Sequence, residues 1–232
     1  MKRIIFSVSV ALIALMVLTS VTLKEKKSKQ FRGTVSYAIS YEGDAVPDVQ
    51  KAKLPKTISI KMYDGMSKYD LAMGGVSQTI IENPTTGKRI SLIEYGLKKA
   101  AYVEIINKAK EDSAVQYTTQ IDYSSDTKMI AGYLCKKASV TFVPKAGVED
   151  EERTYNVYYS EELSDSTENS DGPYAGINGM LLEFYQVAPG FASKYEATEV
   201  IKGKVKDLDF LLPSDFTEFT DPELLQKFLM GQ

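Results

Sequence analysis

The pattern that most limits what this chain can become is alternation with period two, broken by short turn signals. Ile58, Ile60 and Met62 share one side of 57–63, with Thr57, Ser59, Lys61 and Tyr63 on the other. Asp64-Gly65 follows, and Tyr69, Leu71 and Met73 then alternate with Lys68, Asp70 and Ala72. Successive side chains of a strand point to opposite faces, whereas a helix brings one face back every 3.6 residues, so this spacing points to strands. An Asp-Gly pair between two such runs is a strong hairpin signal. Gly74-Gly75 leads into 76–82, Asn83-Pro84 through Gly87 into 88–95, and Gly96 into 99–106, which together predict an antiparallel meander.

A first strand is expected at 31–43, and further ones at 116–124, 132–143, 153–160, 179–187 and 193–205, about eleven in all. Residues 107–114 read as a polar loop or a single helical turn, and 161–172 as an acidic, Ser-rich loop too polar for a core. Helix is scarce. Thr220 and Glu223 have capping-box spacing, Pro222 suits a first turn, and Leu224, Leu225, Phe228 and Leu229 form one apolar stripe, so a short C-terminal helix is predicted. Pro47 and Pro55 allow no more than a turn of helix in 44–56.

The first residues bear on compartment. Met1-Lys2-Arg3 precedes an uncharged run over 4–23, and Lys24 to Lys29 ends it. That layout predicts a signal peptide over 1–23, a polar linker over 24–30 and a single β domain over 31–232. The run is also long enough to span a bilayer, which takes about 20 residues. An uncleaved anchor is therefore the alternative, and it is the sole membrane contact expected. Export to the periplasm or cell envelope of a Gram-negative-type bacterium is predicted either way. Without Lys2 and Arg3, 26 basic residues face 31 acidic ones, a net charge of about −5. Nothing in that balance favours nucleic acid, whose phosphates need clustered Lys and Arg.

Catalytic chemistry leaves no trace. Histidine is absent, which removes the usual general base near neutral pH and the commonest transition-metal ligand. Cys135 is the single cysteine, so no intrachain disulfide can form, and its apolar strand context reads as a small buried side chain. Ser125-Asp-Thr-Lys128 spells Ser-x-x-Lys, but in a turn-rich run rather than on a helix, and reads as a chance match. Asp165, Glu168 and Asp171 do not follow calcium-loop spacing and read as solvated. Paired carboxylates cannot be found by spacing among so many acids, and no Trp is present to floor a sugar site. No catalytic residue, cofactor or metal ligand is assigned. The tyrosines, fifteen of them, read as packing residues of strands.

Three stretches carry a family likeness. The run Thr127-Lys128-Met129-Ile130-Ala131-Gly132-Tyr133-Leu134-Cys135-Lys136-Lys137-Ala138, the strand Tyr155-Asn156-Val157-Tyr158-Tyr159, and Gly172-Pro173-Tyr174 through Gly176-Ile177-Asn178-Gly179-Met180-Leu181-Leu182-Glu183 resemble the GLPGLI family of secreted bacterial envelope proteins. Asn178 stands where the name motif has Pro, and Tyr158 where Trp is usual. The resemblance covers 127–184. It implies a fold of the LolA and LolB lipoprotein-carrier kind: mainly β, a strongly curved antiparallel sheet forming an unclosed half-barrel, with helices on its concave side. It implies no catalytic residues.

A helix of ten residues, about 15 Å long, cannot cover eleven strands spaced about 4.8 Å apart. Some apolar sheet surface therefore needs another cover. The function expected is a non-catalytic binding module for a lipid, acyl chain or other apolar ligand. Its site is expected on the faces of Ile58, Ile60 and Met62 and of Tyr69, Leu71 and Met73, where methionine suits an adaptable pocket. The alternative is an envelope component that binds a protein partner through the same groove or a sheet edge.

Overall fold

The structure is a computed structural model that describes residues 31–73, 76–107, 115–163, 169 and 172–231. The expected signal segment and linker, the loop over 108–114, and Asp165, Glu168 and Asp171 lie outside the described residues.

One twelve-stranded sheet holds the chain together. Its strands are β1 (Gly33–Glu42), β2 (Thr57–Tyr63), β3 (Met66–Met73), β4 (Val76–Asn83), β5 (Lys88–Tyr95), β6 (Lys98–Ile105), β7 (Tyr117–Ile130), β8 (Tyr133–Pro144), β9 (Arg153–Ser160), β10 (Met180–Ala188), β11 (Phe191–Lys202) and β12 (Thr217–Phe219). Their order across the sheet is β12-β6-β5-β4-β3-β2-β1-β11-β10-β9-β8-β7, and the ends do not meet. All pairings are antiparallel except the parallel one between β12 and β6. The helices are short: α1 (Asp48–Lys51) and α2 (Pro222–Met230).

The meander forms as the alternation predicts. Asp64 and Gly65 both take positive φ, 49° and 76°, the conformation of a two-residue hairpin turn that matches strand twist. Four expectations need correction. β12 is a strand the sequence reading missed; at three residues it is too short to show a period. β7 runs on through the supposed turn at Ser125–Lys128, because the extra residues are absorbed as a register shift between Tyr123 and Thr127. Leu163, placed in the polar loop, is buried in the core on a short 3-10 turn. Asp221, not Thr220, caps α2: its Oδ1 accepts from the Glu223 amide at 2.8 Å.

The sheet curls, and the curl is uneven. Lys128 on β7 and Glu196 on β11 stand four strand spacings apart, about 19 Å in a flat sheet and more than two side chains can bridge. Their charged ends nevertheless lie 3.6 Å apart. Bulges bend strands, and all three register shifts fall in this half, in the β7–β8, β9–β10 and β1–β11 ladders. The ladders from β1 through β6 run without a shift.

Buried side chains form three clusters. The first joins Val35, Tyr37, Ile39 and Ile58 to Ile130, Cys135, Leu163 and Leu182. The second centres on Val140, Phe142, Val157, Tyr159 and Tyr174. The third packs Val205 and Phe210, from the return segment 203–216, against Ile81, Leu92 and Ala101 on one face of the meander. That face is closed by the chain itself.

Candidate functional site

Directly paired residues of neighbouring strands point to one face, so the register assigns the opposite face row by row. One row reads Val35, Ile60, Tyr69, Ile80, Ser91, Tyr102 and Phe219. The next reads Tyr37, Ile58, Leu71, Gln78, Ile93 and Ala100. The row on the other side holds Met62, Ser67, Glu82, Arg89 and Glu104. There Arg89 bonds Glu82 at 2.7 Å and Glu104 at 3.5 Å, a charged ladder along one margin of an apolar floor.

The six residues singled out by alternation fall on this face in consecutive rows. Ile58 is buried, while Ile60, Met62, Tyr69 and Leu71 are half-buried and pack against the first cluster. Met73 ends β3 opposite Val76 in the following row. The structure thus brings the first five together. Ile80, Ile93 and Tyr102, which complete the floor, are half-buried as well and were not picked out in advance. The signal was weak, since β4 and β5 each carry two adjacent aliphatic residues, Ile80-Ile81 and Leu92-Ile93, and do not alternate as β2 does.

α2 covers one end of this face only. Phe228 packs on Phe219 with ring centres 5.1 Å apart, and Lys98 donates to the Phe228 and Leu229 carbonyls, each at 2.8 Å. Both Phe219 and Lys98 share the face of Tyr102, so the helix sits over β6 and β12. Nine residues make it about 14 Å long. The resemblance implied helices over the concave side; here α2 is displaced to the margin, because β12 pairs with β6 and holds the start of the helix there.

In the curled half four ionisable groups are engaged with one another. Glu183 is buried, yet Lys128 reaches its Oε2 at 2.6 Å and Lys194 its Oε1 at 2.8 Å. Glu196, directly opposite on β11, is bound by Lys194 at 3.1 Å. The hydrogen bond from Lys194 holds the Glu196 carboxyl below its ordinary value, and the one Lys128 donates to Glu183 raises the Lys128 pKa. Burial works against the charged Lys194 amine, but its bonds to both glutamates outweigh it and the pKa rises. Two acids thus face each other, each neutralised by a lysine. This quartet holds the curl of the sheet. The Lys of Ser-x-x-Lys belongs to it, on a strand.

Arg153 and Tyr117 both bond Asp150, and Arg153 also donates to the Ala188 carbonyl at 2.7 Å, which ties the β8–β9 and β10–β11 connections together. Burial pushes the Cys135 thiol up to about 11, the behaviour of an inert core cysteine. Among the described residues no three His, Cys, Asp or Glu side chains are grouped to hold a metal ion. Among the same residues no helix is long and apolar enough to cross a membrane.

A second concavity, of about 460 Å3, lies in the curled half and was not foreseen. Tyr123, Ser125 and Thr127 line it from the β7 bulge, Lys136 and Tyr159 from β8 and β9, and Asn178 from the turn before β10. No local sequence signal marks it, because it exists only where the bulge brings β7 beside that turn. No family model matches the chain, and no curated protein matches it either.

Proposed function

We propose that this protein is an exported, non-catalytic binding module that takes a lipid, an acyl chain or a similar apolar ligand on the Ile60 face of the meander. One observation carries the reading: from β2 to β6 this face keeps Ile60, Tyr69, Leu71, Ile80, Ile93 and Tyr102 half-buried on a largely apolar floor that Gln78 and Ser91 interrupt, with α2 at one end and the return segment on the other side. Four strand spacings make that floor about 19 Å wide. Clustered apolar surface left partly uncovered is the kind that marks a binding site in soluble proteins. Each methylene withdrawn from water contributes about 0.8 kcal/mol, so ten give about 8 kcal/mol against the cost of immobilising a chain. The charged ladder of Glu82, Arg89 and Glu104 offers a margin where a polar head group stays wet. The carrier-like fold implied by the family resemblance agrees with this use, and export agrees with the apolar run over 4–23.

Native mass spectrometry of the full chain purified from a membrane-bearing host tests the proposal, together with titration by a fluorescent fatty acid. A co-purified apolar adduct and saturable binding are expected, with binding weakened about tenfold or more by Ile80→Glu, which sets a charge on the floor. A clean apo mass with no fluorescence change refutes it.

A second reading rests on the open edge. β7 is fourteen residues long and ends the sheet, and Met129 and Leu134, paired at its hairpin tip, are each 60 % exposed. An envelope protein adding a strand there would use main-chain hydrogen bonds. In-envelope cross-linking from positions 118 and 120 tests it; no reproducible adduct counts against it.

A further inference from the structure

We propose that the concavity beside the β7 bulge is a separate binding site, and that its ligand is a neutral sugar of one or two rings. Its volume of about 460 Å3 falls within the ~300–1,000 Å3 of small-molecule sites. The chemistry of the lining narrows the class. Lys136 and Glu161 are the charged side chains that line it, one of each sign, and they pair with each other at 2.8 Å. A net anionic or cationic ligand therefore finds no uncompensated partner. Ser125, Thr127 and Asn178 add hydroxyl and amide groups, which an acyl chain would bury at a cost. What remains is a ligand that is polar, uncharged and able to both donate and accept.

The aromatic part of the site selects further. Tyr123 is 57 % exposed, and its ring meets the buried Tyr159 ring edge to face at 6.4 Å and 77°. Its hydroxyl donates to the Gly176 carbonyl at 2.7 Å, which fixes the ring before any ligand arrives. A pyranose has an apolar C–H face and a polar rim, and it satisfies a held aromatic ring and surrounding hydroxyl, amide and ion-pair groups together. A preorganised ring also lowers the ordering cost of binding. Tyrosine here takes the part for which the sequence offers no tryptophan. No residue is shared with the Ile60 face, so either site stands or falls without the other.

The test is saturation-transfer NMR on the full chain, kept in a non-glycosidic detergent, with cellobiose and diacetylchitobiose as probes. Glucuronate and glucosamine are the charged controls. Transfer from at least one neutral disaccharide, stronger than from either charged sugar, is the expected result. Tyr123→Leu, which removes the ring, loosens binding about five- to tenfold, whereas Tyr123→Phe, which keeps the ring and loses only its tether to Gly176, loosens it about two- to threefold. Ser125→Phe is the second variant; it enlarges an exposed position at the mouth and abolishes transfer. No transfer from either neutral probe up to about 10 mM overturns the proposal. So does preference for a charged sugar, or binding that neither Tyr123→Leu nor Ser125→Phe weakens in protein with wild-type circular dichroism.

Discussion

Gly179→Ala is expected to be among the most damaging single-methyl additions in this chain. Gly179 has φ 155° and follows the turn that lines the second concavity. A Cβ built there lies 2.9 Å from the Ser160 carbonyl oxygen and 2.9 Å from Cδ2 of Tyr159. Neither neighbour is the loose end of a side chain: one is the backbone of β9, the other a ring in the second cluster. Two costs add. A sparsely populated backbone region costs a non-glycine residue about 1–3 kcal/mol. Crowding a packed core by a methyl group costs about 1–3 kcal/mol more. The sum, about 2–6 kcal/mol, lowers Tm by roughly 5–20 °C at ~2–4 °C per kcal/mol for a domain of this size. Gly147→Ala is the matched comparison, since Gly147 also has positive φ, 88°, but a Cβ there meets nothing within 4 Å. Thermal melts followed by far-ultraviolet circular dichroism compare the two. If Gly179→Ala melts within about 2 °C of Gly147→Ala, the close approach to β9 carries no energy and the reasoning is wrong.

The charge quartet makes a prediction about pH. Glu196 has a folded pKa below its ordinary 4.5, so its contribution is complete above pH 4.5 and is lost as pH falls through the depressed value. Chemical denaturation at several pH values should show stability declining below about 4.5, with a shallower acid limb in Glu196→Gln. Lys194 runs the other way: its contribution is complete below its ordinary 10.5 and declines as pH rises through its higher folded pKa. Ser160 is fully buried and its hydroxyl has no hydrogen-bond partner. Ser160→Ala should therefore stabilise the chain, by about 1–3 kcal/mol in urea unfolding, where a loss would refute the assignment. Asp221→Ala should cost about 1 kcal/mol while Thr220→Ala costs little, measured by the same unfolding curves. Native Cys135 should resist a thiol-reactive chromophore at pH 8 and react at once in guanidinium, because burial raises its pKa to about 11.

The meander half of the molecule was legible because nothing in it departs from regular geometry. Over β2 and β3 the period of two, the Asp64-Gly65 turn and the register agree, so alternation places Ile60 and Tyr69 on one face, while β4 to β6 were marked by their turns and join the floor through the register. The other half was legible only in outline. Between Tyr123 and Thr127 strand β7 takes four steps against two on β8, from Ala138 to Lys136, and this two-residue excess of polar side chains made 125–128 look like a turn when it is strand. Leu163 was missed for a different reason: its neighbours in sequence are polar, and its burial comes from Met180, Leu182 and Ile130, which are distant along the chain. β12 and the position of α2 depend on a parallel pairing with β6 that no local pattern announces.

The two candidate sites follow from this unevenness. A regular sheet has two equivalent faces, and a chain with one return segment can shield only one of them. Val205, Phe210, Leu212 and Phe216 commit that segment to Ile81, Leu92 and Ala101, which leaves the Ile60 face to the first cluster at its β1 end and to α2 at its β6 end. Because β12 draws α2 to the β6 margin, the centre of that face keeps its half-buried aliphatic and tyrosine side chains. The curled half meets the opposite constraint. Its bulges fold the sheet onto itself, so most of its apolar residues are sealed in the first and second clusters. A polar recess is left where β7 swings past the Gly176 turn. Flatness thus leaves an apolar floor without full cover, curvature leaves a small polar hollow, and the ligand classes proposed for each differ for that reason.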